Sequence, residues 1–137
     1  MKLDRQIVRD AGLSHARAQL SNRGWKATPP TGNAKGVDFL IHGQDASRKP
    51  TIKARAFSHR NAVSLGATPD NFLADYLVVC SKVIEDNPEC FILTQEEVRG
   101  LANRNEKGGK VSYWLELRGY DTAQFREKWD RIDSKAD

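Results

Sequence analysis

The 137-residue chain lacks both the apolar run of a membrane span and the apolar core of a secretory signal. No stretch approaches the roughly 20 apolar residues that cross a bilayer. The N-terminus, MKLDRQIVRDAG, is charged where a signal peptide is apolar. The composition, 39% hydrophobic and 29% charged, is typical of a globular protein rather than a disordered one. We therefore expect one globular domain over residues 1–137, in the cytoplasm and without a membrane partner.

Cysteine is nearly absent, since Cys80 and Cys90 are the only two in the chain. They fall in successive strand-like runs, so a hairpin would bring them face to face and would allow a disulfide. In a cytoplasmic protein the favoured interpretation is two reduced, partly buried thiols. Without a compact Cys/His cluster they do not predict a zinc site. The three histidines, His15, His42 and His59, share no metal-ligand spacing and are assigned no role.

Acidic residues are missing from residues 46–69, and the charge of the chain is unevenly distributed. Residues 1–70 hold 12 Lys and Arg against 5 Asp and Glu, whereas residues 71–137 hold 10 against 13. A one-sided basic surface is expected of a protein that meets phosphate backbones. The same pattern also fits a solvated face without a polyanionic partner. The cations of the acid-free stretch are Arg48, Lys49, Lys53, Arg55 and Arg60.

Residues 36–56 predict two strands joined by a polar turn, because apolar side chains occupy every second position at each end. In the second strand Thr51, Lys53 and Arg55 share one face, and small apolar residues share the other. If the two strands pair as a hairpin, Asp38 comes close to Lys53. An acid beside a base at one rim of a sheet is a candidate catalytic arrangement.

The first half of the chain otherwise predicts a helix over residues 3–23, with Asp4 as its N-cap and Gly24 as the left-handed residue after its end. Gly12 inside this helix costs about 1 kcal/mol relative to alanine, allows close packing, or marks a break between a short lead-in and the helix proper. A short strand is expected at residues 25–28. Residues 57–71 predict a long loop with at most one short strand or helical turn.

The second half predicts a strand over residues 73–83, buried on both faces, and a returning strand at residues 90–93. Thr94 and Glu97 form the capping box of a helix that ends before a loop at residues 103–109. The remaining elements are a strand over residues 111–117 and a final helix, capped by Asp121 or Thr122, with an apolar stripe of Phe125, Trp129 and Ile132. The order predicts an α/β domain with a central mixed β-sheet flanked by helices.

Several short motifs occur in the same order as in a known protein superfamily, and together they extend over most of residues 10–133. They are Gly12 and Leu20 in the first helix, then Gly24-Trp25, GVDFL at residues 36–40, Ile52-Lys53, ADYLVV at residues 74–79, FILT at residues 91–94, and the late Phe125, Trp129 and Ile132. Together they resemble the restriction-endonuclease-like PD-(D/E)xK superfamily. More narrowly, the chain is similar to the small stand-alone domains of the Holliday-junction-resolvase type.

The resemblance implies an α-β-β-β-…-β core and metal-dependent phosphodiester hydrolysis, in which carboxylates hold Mg²⁺ or Mn²⁺ and a lysine assists the attacking water. On that template Asp38 is the metal-binding aspartate and Lys53 is the catalytic lysine. Thr51 stands where an acidic residue or glutamine is expected, and its hydroxyl would be a second metal ligand. Leu13 replaces a glutamate that related proteins often carry. Among the nearby acids, Asp70 or Asp75 would have to supply a compensating carboxylate.

Three functions are compatible with these residues. The first is a nucleic-acid-binding domain of the nuclease type with a diverged metal site, contacting phosphates of duplex or branched DNA through Arg48, Lys49, Arg55 and Arg60. The second is an active Mg²⁺-dependent DNA endonuclease, a hydrolase that uses Asp38 and Lys53. The third is a protein-interaction module on an old nuclease scaffold, with a homodimer or another protein as partner.

Overall fold

The structure, a computed structural model, describes residues 4–28, 38–42, 50–66, 74–85 and 87–133. It is an α/β fold with a mixed five-stranded sheet, a second sheet of three strands, and helices. The elements in chain order are α1 (Arg5–Asn22), β1 (Lys26–Thr28), β2 (Phe39–His42), β3 (Thr51–Ala56), β4 (Val63–Gly66), β5 (Tyr76–Ser81), β6 (Glu89–Thr94), α2 (Gln95–Leu101), β7 (Asn103–Lys107), β8 (Lys110–Leu115), α3 (Leu117–Tyr120) and α4 (Asp130–Asp133).

The five-stranded sheet has the order β1-β2-β3-β5-β6, and only β3 and β5 are parallel neighbours. The predicted hairpin is confirmed, because β2 and β3 pair antiparallel with Phe39 opposite Ile52 and Leu40 opposite Thr51. Continuing this register by one residue places Asp38 opposite Lys53. The predicted mixed sheet is therefore confirmed.

The two faces of this sheet are both covered, as the alternation of its side chains requires. One face packs against α1, which buries a row of residues four apart: Val8, Gly12, Ala16 and Leu20. We call this the first core; it also holds Phe39, Ile41, Ile52, Val78 and Ile92. The other face packs against the second sheet and α2 in a second core, which includes Val63, Leu77, Val79, Phe91, Leu93, Val98 and Leu115. Burial on both sides confirms the prediction for β5.

The boundaries of α1 follow from its capping residues, as predicted. The side chain of Asp4 accepts a hydrogen bond of 2.7 Å from the Gln6 N–H, and Gly24 has a φ of 91° just beyond the helix. Gly12 faces β3 so closely that a Cβ on it would lie 2.2 Å from the Cβ of Ala56. Of the interpretations of this glycine, close packing is the one that the structure supports, and α1 continues through it without a break.

The predicted loop at residues 103–109 is wrong, because it contains β7 and the turn that joins β7 to β8. Gly108 and Gly109 form this turn with φ values of 60° and 81°, which glycine adopts without strain. The side chains of β7 are exposed at Arg104 and at each residue after it, so no apolar alternation marks this strand in the sequence. Of the short strand or helical turn allowed within residues 57–71, the structure contains a strand, β4, which pairs with β8.

The predicted final helix is also wrong, although its apolar residues are buried. Only α3 and α4 are helical in this part of the chain, and the backbone between them follows the edge of the five-stranded sheet. The Ile92 N–H donates to the Phe125 carbonyl at 3.0 Å, and the Glu127 N–H donates to the Cys90 carbonyl at 2.7 Å. The chain thereby passes from one face to the other: Phe125 lies in the second core, whereas Trp129 and Ile132 lie in the first.

The two cysteines are free thiols that face each other across β5 and β6, with their Sγ atoms 3.2 Å apart. Both are fully buried beneath α1. The hydrogen bond between the thiols and then burial raise the pKa of Cys90 far above its usual range. The thiolate is the form of cysteine that reacts. Burial of both thiols and the raised pKa of Cys90 therefore both disfavour reaction with a reagent in solution.

We therefore expect Cys80 and Cys90 to resist alkylation by iodoacetamide at pH 8 in the folded protein. Both should be modified once guanidinium unfolds the chain, so intact mass should show no added group before unfolding and two afterwards. Rapid labelling of the folded protein would contradict the packing of α1 over these residues.

Candidate functional site

A cleft of about 700 Å³ lies where the beginning of α1 approaches β3 and the segment that leads to β4. Four of the side chains that line it are cations, and none of its lining residues within the described part of the chain is acidic. We call it the basic cleft and define it by its cations Arg5, Arg9, Lys53 and Arg55. Clustered cations raise the local potential and attract anions.

The periods of a helix and a strand bring these four cations together. Arg5 and Arg9 are four residues apart, so they lie one above the other on α1, and both are exposed beside the buried Val8. Lys53 and Arg55 are two residues apart on β3 and therefore share one face of the sheet. Arg55 also donates a hydrogen bond to the Ser64 carbonyl at 3.3 Å, which connects its guanidinium to β4.

Asp38 lies at the rim of the basic cleft, and its side chain is only 7% exposed. One carboxylate oxygen, Oδ1, accepts a hydrogen bond of 3.0 Å from Arg9. The other, Oδ2, accepts a hydrogen bond of 2.7 Å from the Ala54 N–H and lies 3.9 Å from the Lys53 ammonium. The predicted approach of Asp38 to Lys53 is therefore present in the structure.

The carboxylate of Asp38 takes the place of a strand partner. Of the β3 residues, only Thr51 and Ile52 have Cα partners in β2, and the Ala54 N–H bonds to Asp38 instead. A buried N–H without a partner is costly, so this bond stabilises the hairpin where regular pairing ends. The role of Arg9 was not predicted, because 29 residues separate it from Asp38 and no local pattern links the two.

Thr51 is engaged by Asp75, which lies beside it because β3 and β5 run parallel with Ile52 opposite Tyr76. The backbone N–H and the hydroxyl of Thr51 both donate to Asp75 Oδ2, at 2.9 and 3.1 Å. The Asp75 N–H donates in return to the Thr51 hydroxyl at 2.9 Å. These bonds join the beginnings of two strands and leave the Thr51 hydroxyl with local partners for both donation and acceptance.

The residues around Asp38 do not fit a magnesium or manganese ion. Mg²⁺ prefers six oxygen ligands in near-octahedral geometry, yet both Asp38 oxygens already accept hydrogen bonds and lie near two cations. Within the described ranges, no group of three or more His, Cys, Asp or Glu is placed to hold a metal ion. Leu13, at the expected glutamate position, packs against the first core.

The remaining predicted phosphate contacts lie apart from the basic cleft or outside the described residues. Arg60 pairs with Glu89 at 2.7 Å and with Asp121 at 3.0 Å, and Asp121 also pairs with Arg126 at 3.0 Å. This network connects the segment before β4 to β6 and to the C-terminal segment. Arg48, Lys49 and Asp70, as well as the predicted polar turn at residues 43–49, lie outside the described residues.

Comparison with known proteins gives no relative: no family model matches the chain, and neither the curated proteins nor the solved structures contain a match. Among the helices in the described part of the chain, none combines the length and the apolar character of a bilayer span. The candidate site therefore rests on its own geometry.

Proposed function

We propose that this protein binds nucleic-acid backbones through the basic cleft. The observation that carries the proposal is the grouping of four cations from α1 and β3 around one cleft, without an acidic lining residue among those described. The phosphates of a nucleic-acid strand would bind these four cations, because cations that contact phosphates release the counterions condensed on the strand. Contacts of this kind position a strand and read little sequence.

The fold supports the proposal in its narrower form, a diverged domain of the PD-(D/E)xK type. A helix packed on a mixed sheet is followed by an antiparallel hairpin that sets Asp38 opposite Lys53, and β3 then has a parallel neighbour. The resemblance, which depended on short sequence motifs, implies a core of this kind. Proteins of one fold often differ in activity, so the function has to be argued from the cleft itself.

Binding is favoured over cleavage by the bonds that Asp38 makes. In a metal-dependent nuclease this aspartate would face a metal, whereas here Arg9 and the Ala54 N–H occupy its two oxygens. With those partners the carboxylate fixes the hairpin and holds Arg9 and Lys53 at the rim of the cleft. A domain that binds without cutting is the function that this arrangement supports best.

The direct test is fluorescence anisotropy with labelled DNA and RNA, single-stranded and duplex, between 25 and 300 mM salt in EDTA. We expect the logarithm of the association constant to fall linearly with the logarithm of the salt concentration. If all four cations contact phosphates, the slope should be about −3 to −4. Absence of binding at the lowest salt, or binding that salt does not weaken, would overturn the proposal.

The same titrations with Mg²⁺ or Mn²⁺ in place of EDTA distinguish binding from cleavage. We expect the labelled strands to remain intact on a denaturing gel. If the strands are nicked, and both Asp38→Ala and Lys53→Ala abolish the nicking, the protein is an endonuclease. Nicking that persists in both variants would come from a contaminant.

A further inference from the structure

The basic cleft has an apolar side that phosphate binding alone does not require. Besides its cations, the cleft is lined by five apolar residues: Val8, Ala54, Ala56, Phe57 and Ala62. Phe57 is the only aromatic residue among the described lining residues. Because bases present flat apolar faces to aromatic side chains, we propose that the cleft takes an unpaired strand and that a base stacks on Phe57. This inference rests on the proposed function.

Phe57 follows β3 directly and continues the row of cations on that strand. At the rise of about 3.3 Å per residue in a strand, side chains two residues apart are spaced by roughly 6–7 Å. Lys53, Arg55 and Phe57 therefore form a row of two cations followed by one aromatic ring. A strand that follows this row places phosphates on Lys53 and Arg55 and a base on Phe57.

The backbone around Phe57 is held on both sides, so the ring is presented from a fixed position. The Phe57 N–H donates to the Cys80 carbonyl at 2.9 Å, and the Phe57 carbonyl accepts from the Val83 N–H at 3.2 Å. The ring is half-buried, packing partly on the second core while it lines the cleft. A fixed aromatic ring loses little conformational entropy when a ligand binds, which favours binding.

The shape of the cleft favours an unpaired strand over a duplex. Its volume of about 700 Å³ lies within the range of small-molecule sites, and both α1 and the segment around Asn61 and Ser64 contribute lining residues. In a duplex the bases are stacked on each other, so no base face is free to stack on Phe57. An unpaired strand can satisfy the cations and the apolar side together.

The test compares three DNA ligands of equal length at one salt concentration: oligo(dT), the same backbone without bases, and a duplex. We expect the native protein to bind oligo(dT) about tenfold more tightly than the abasic strand or the duplex, as one base stacked on an aromatic ring predicts. Phe57→Leu keeps an apolar side chain on the second core but removes the stacking surface. It should bind oligo(dT) and the abasic strand with equal affinity, with the salt dependence unchanged.

Phe57→Trp serves as the matched control, because it retains an aromatic ring and should keep the preference for oligo(dT). Thermal unfolding of each variant verifies that it is folded at the assay temperature. Equal affinity of the native protein for the three ligands, or a preference for oligo(dT) that survives in Phe57→Leu, would overturn the inference. Failure of the proposed function would be different: none of the ligands would bind in a salt-dependent manner.

Discussion

Replacing Arg5, Arg9, Lys53 and Arg55 together with glutamine is expected to weaken nucleic-acid binding at least a hundredfold at 50 mM salt. Each phosphate contact contributes about one unit to the salt slope, so the slope should fall toward zero along with the affinity. Glutamine keeps much of the length and the polarity of each side chain, so the change acts mainly through charge. The measurement is the anisotropy titration, repeated at several salt concentrations.

A control variant with the same total charge distinguishes the effect of the cleft's cations from the effect of the protein's net charge. Arg99, Lys107, Lys110 and Arg118 are exposed and lie outside the basic cleft. Replacing these four with glutamine lowers the net charge by the same amount but should leave the affinity within about threefold of the native value. If this variant loses as much affinity as the first, binding depends on net charge and the cleft is not the site.

Asp38→Asn is expected to strengthen nucleic-acid binding. Asparagine retains an oxygen that can accept the Ala54 N–H, but it removes a negative charge next to Arg9 and Lys53. A unit charge at about 4 Å in water is worth about 1 kcal/mol, so the affinity should rise about fivefold. A metal-dependent endonuclease would instead lose its cleavage, because its ligand would be gone.

Gly12→Ala is expected to lower the free energy of unfolding by about 2 kcal/mol, although alanine normally stabilises a helix relative to glycine. The added Cβ would lie 2.2 Å from the Cβ of Ala56, so α1 has to move away from β3. Because Arg9 and Val8 lie on the preceding turn of α1, the same movement should widen the basic cleft. Chemical denaturation followed by circular dichroism measures the loss of stability.

A second substitution on the strand should restore much of this stability. In Gly12→Ala with Ala56→Gly, the nearest remaining strand atom is the Cα of residue 56, at 3.4 Å. The control is Gly100→Ala in α2, where an added Cβ meets no atom within 4 Å; it should stabilise the protein by about 0.5–1 kcal/mol. A double variant no more stable than Gly12→Ala alone would show that this contact is not the source of the loss.

The parts of the fold that were predictable from the sequence are those specified by local patterns. The alternation around Asp38 and Lys53 fixed the faces of β2 and β3, and their antiparallel register then placed the two residues opposite each other. The capping box of α2 is also local, and the structure contains both of its hydrogen bonds between Thr94 and Glu97. Such signals lie within a few residues and do not depend on the rest of the chain.

The parts that were missed depend on contacts between distant segments. β7 has polar and charged side chains, and it is a strand because β8 pairs with it. The spacing of Phe125, Trp129 and Ile132 mimics a helix, but pairing with the edge of β6 determines the backbone there. The role of Arg9 depends on how α1 crosses the sheet, and this crossing is set by Gly12 and Ala56.

The C-terminal segment that pairs with β6 has a consequence for the synthesis of the protein. The ribosome makes β6, with its buried apolar side chains, before the residues around Phe125 that cover its edge. Until those residues leave the exit tunnel, the nascent chain carries an open apolar strand edge of the kind that recruits other strands. Covering of this edge therefore waits until the residues around Phe125 have left the exit tunnel, and chains released before that point would be the ones that aggregate.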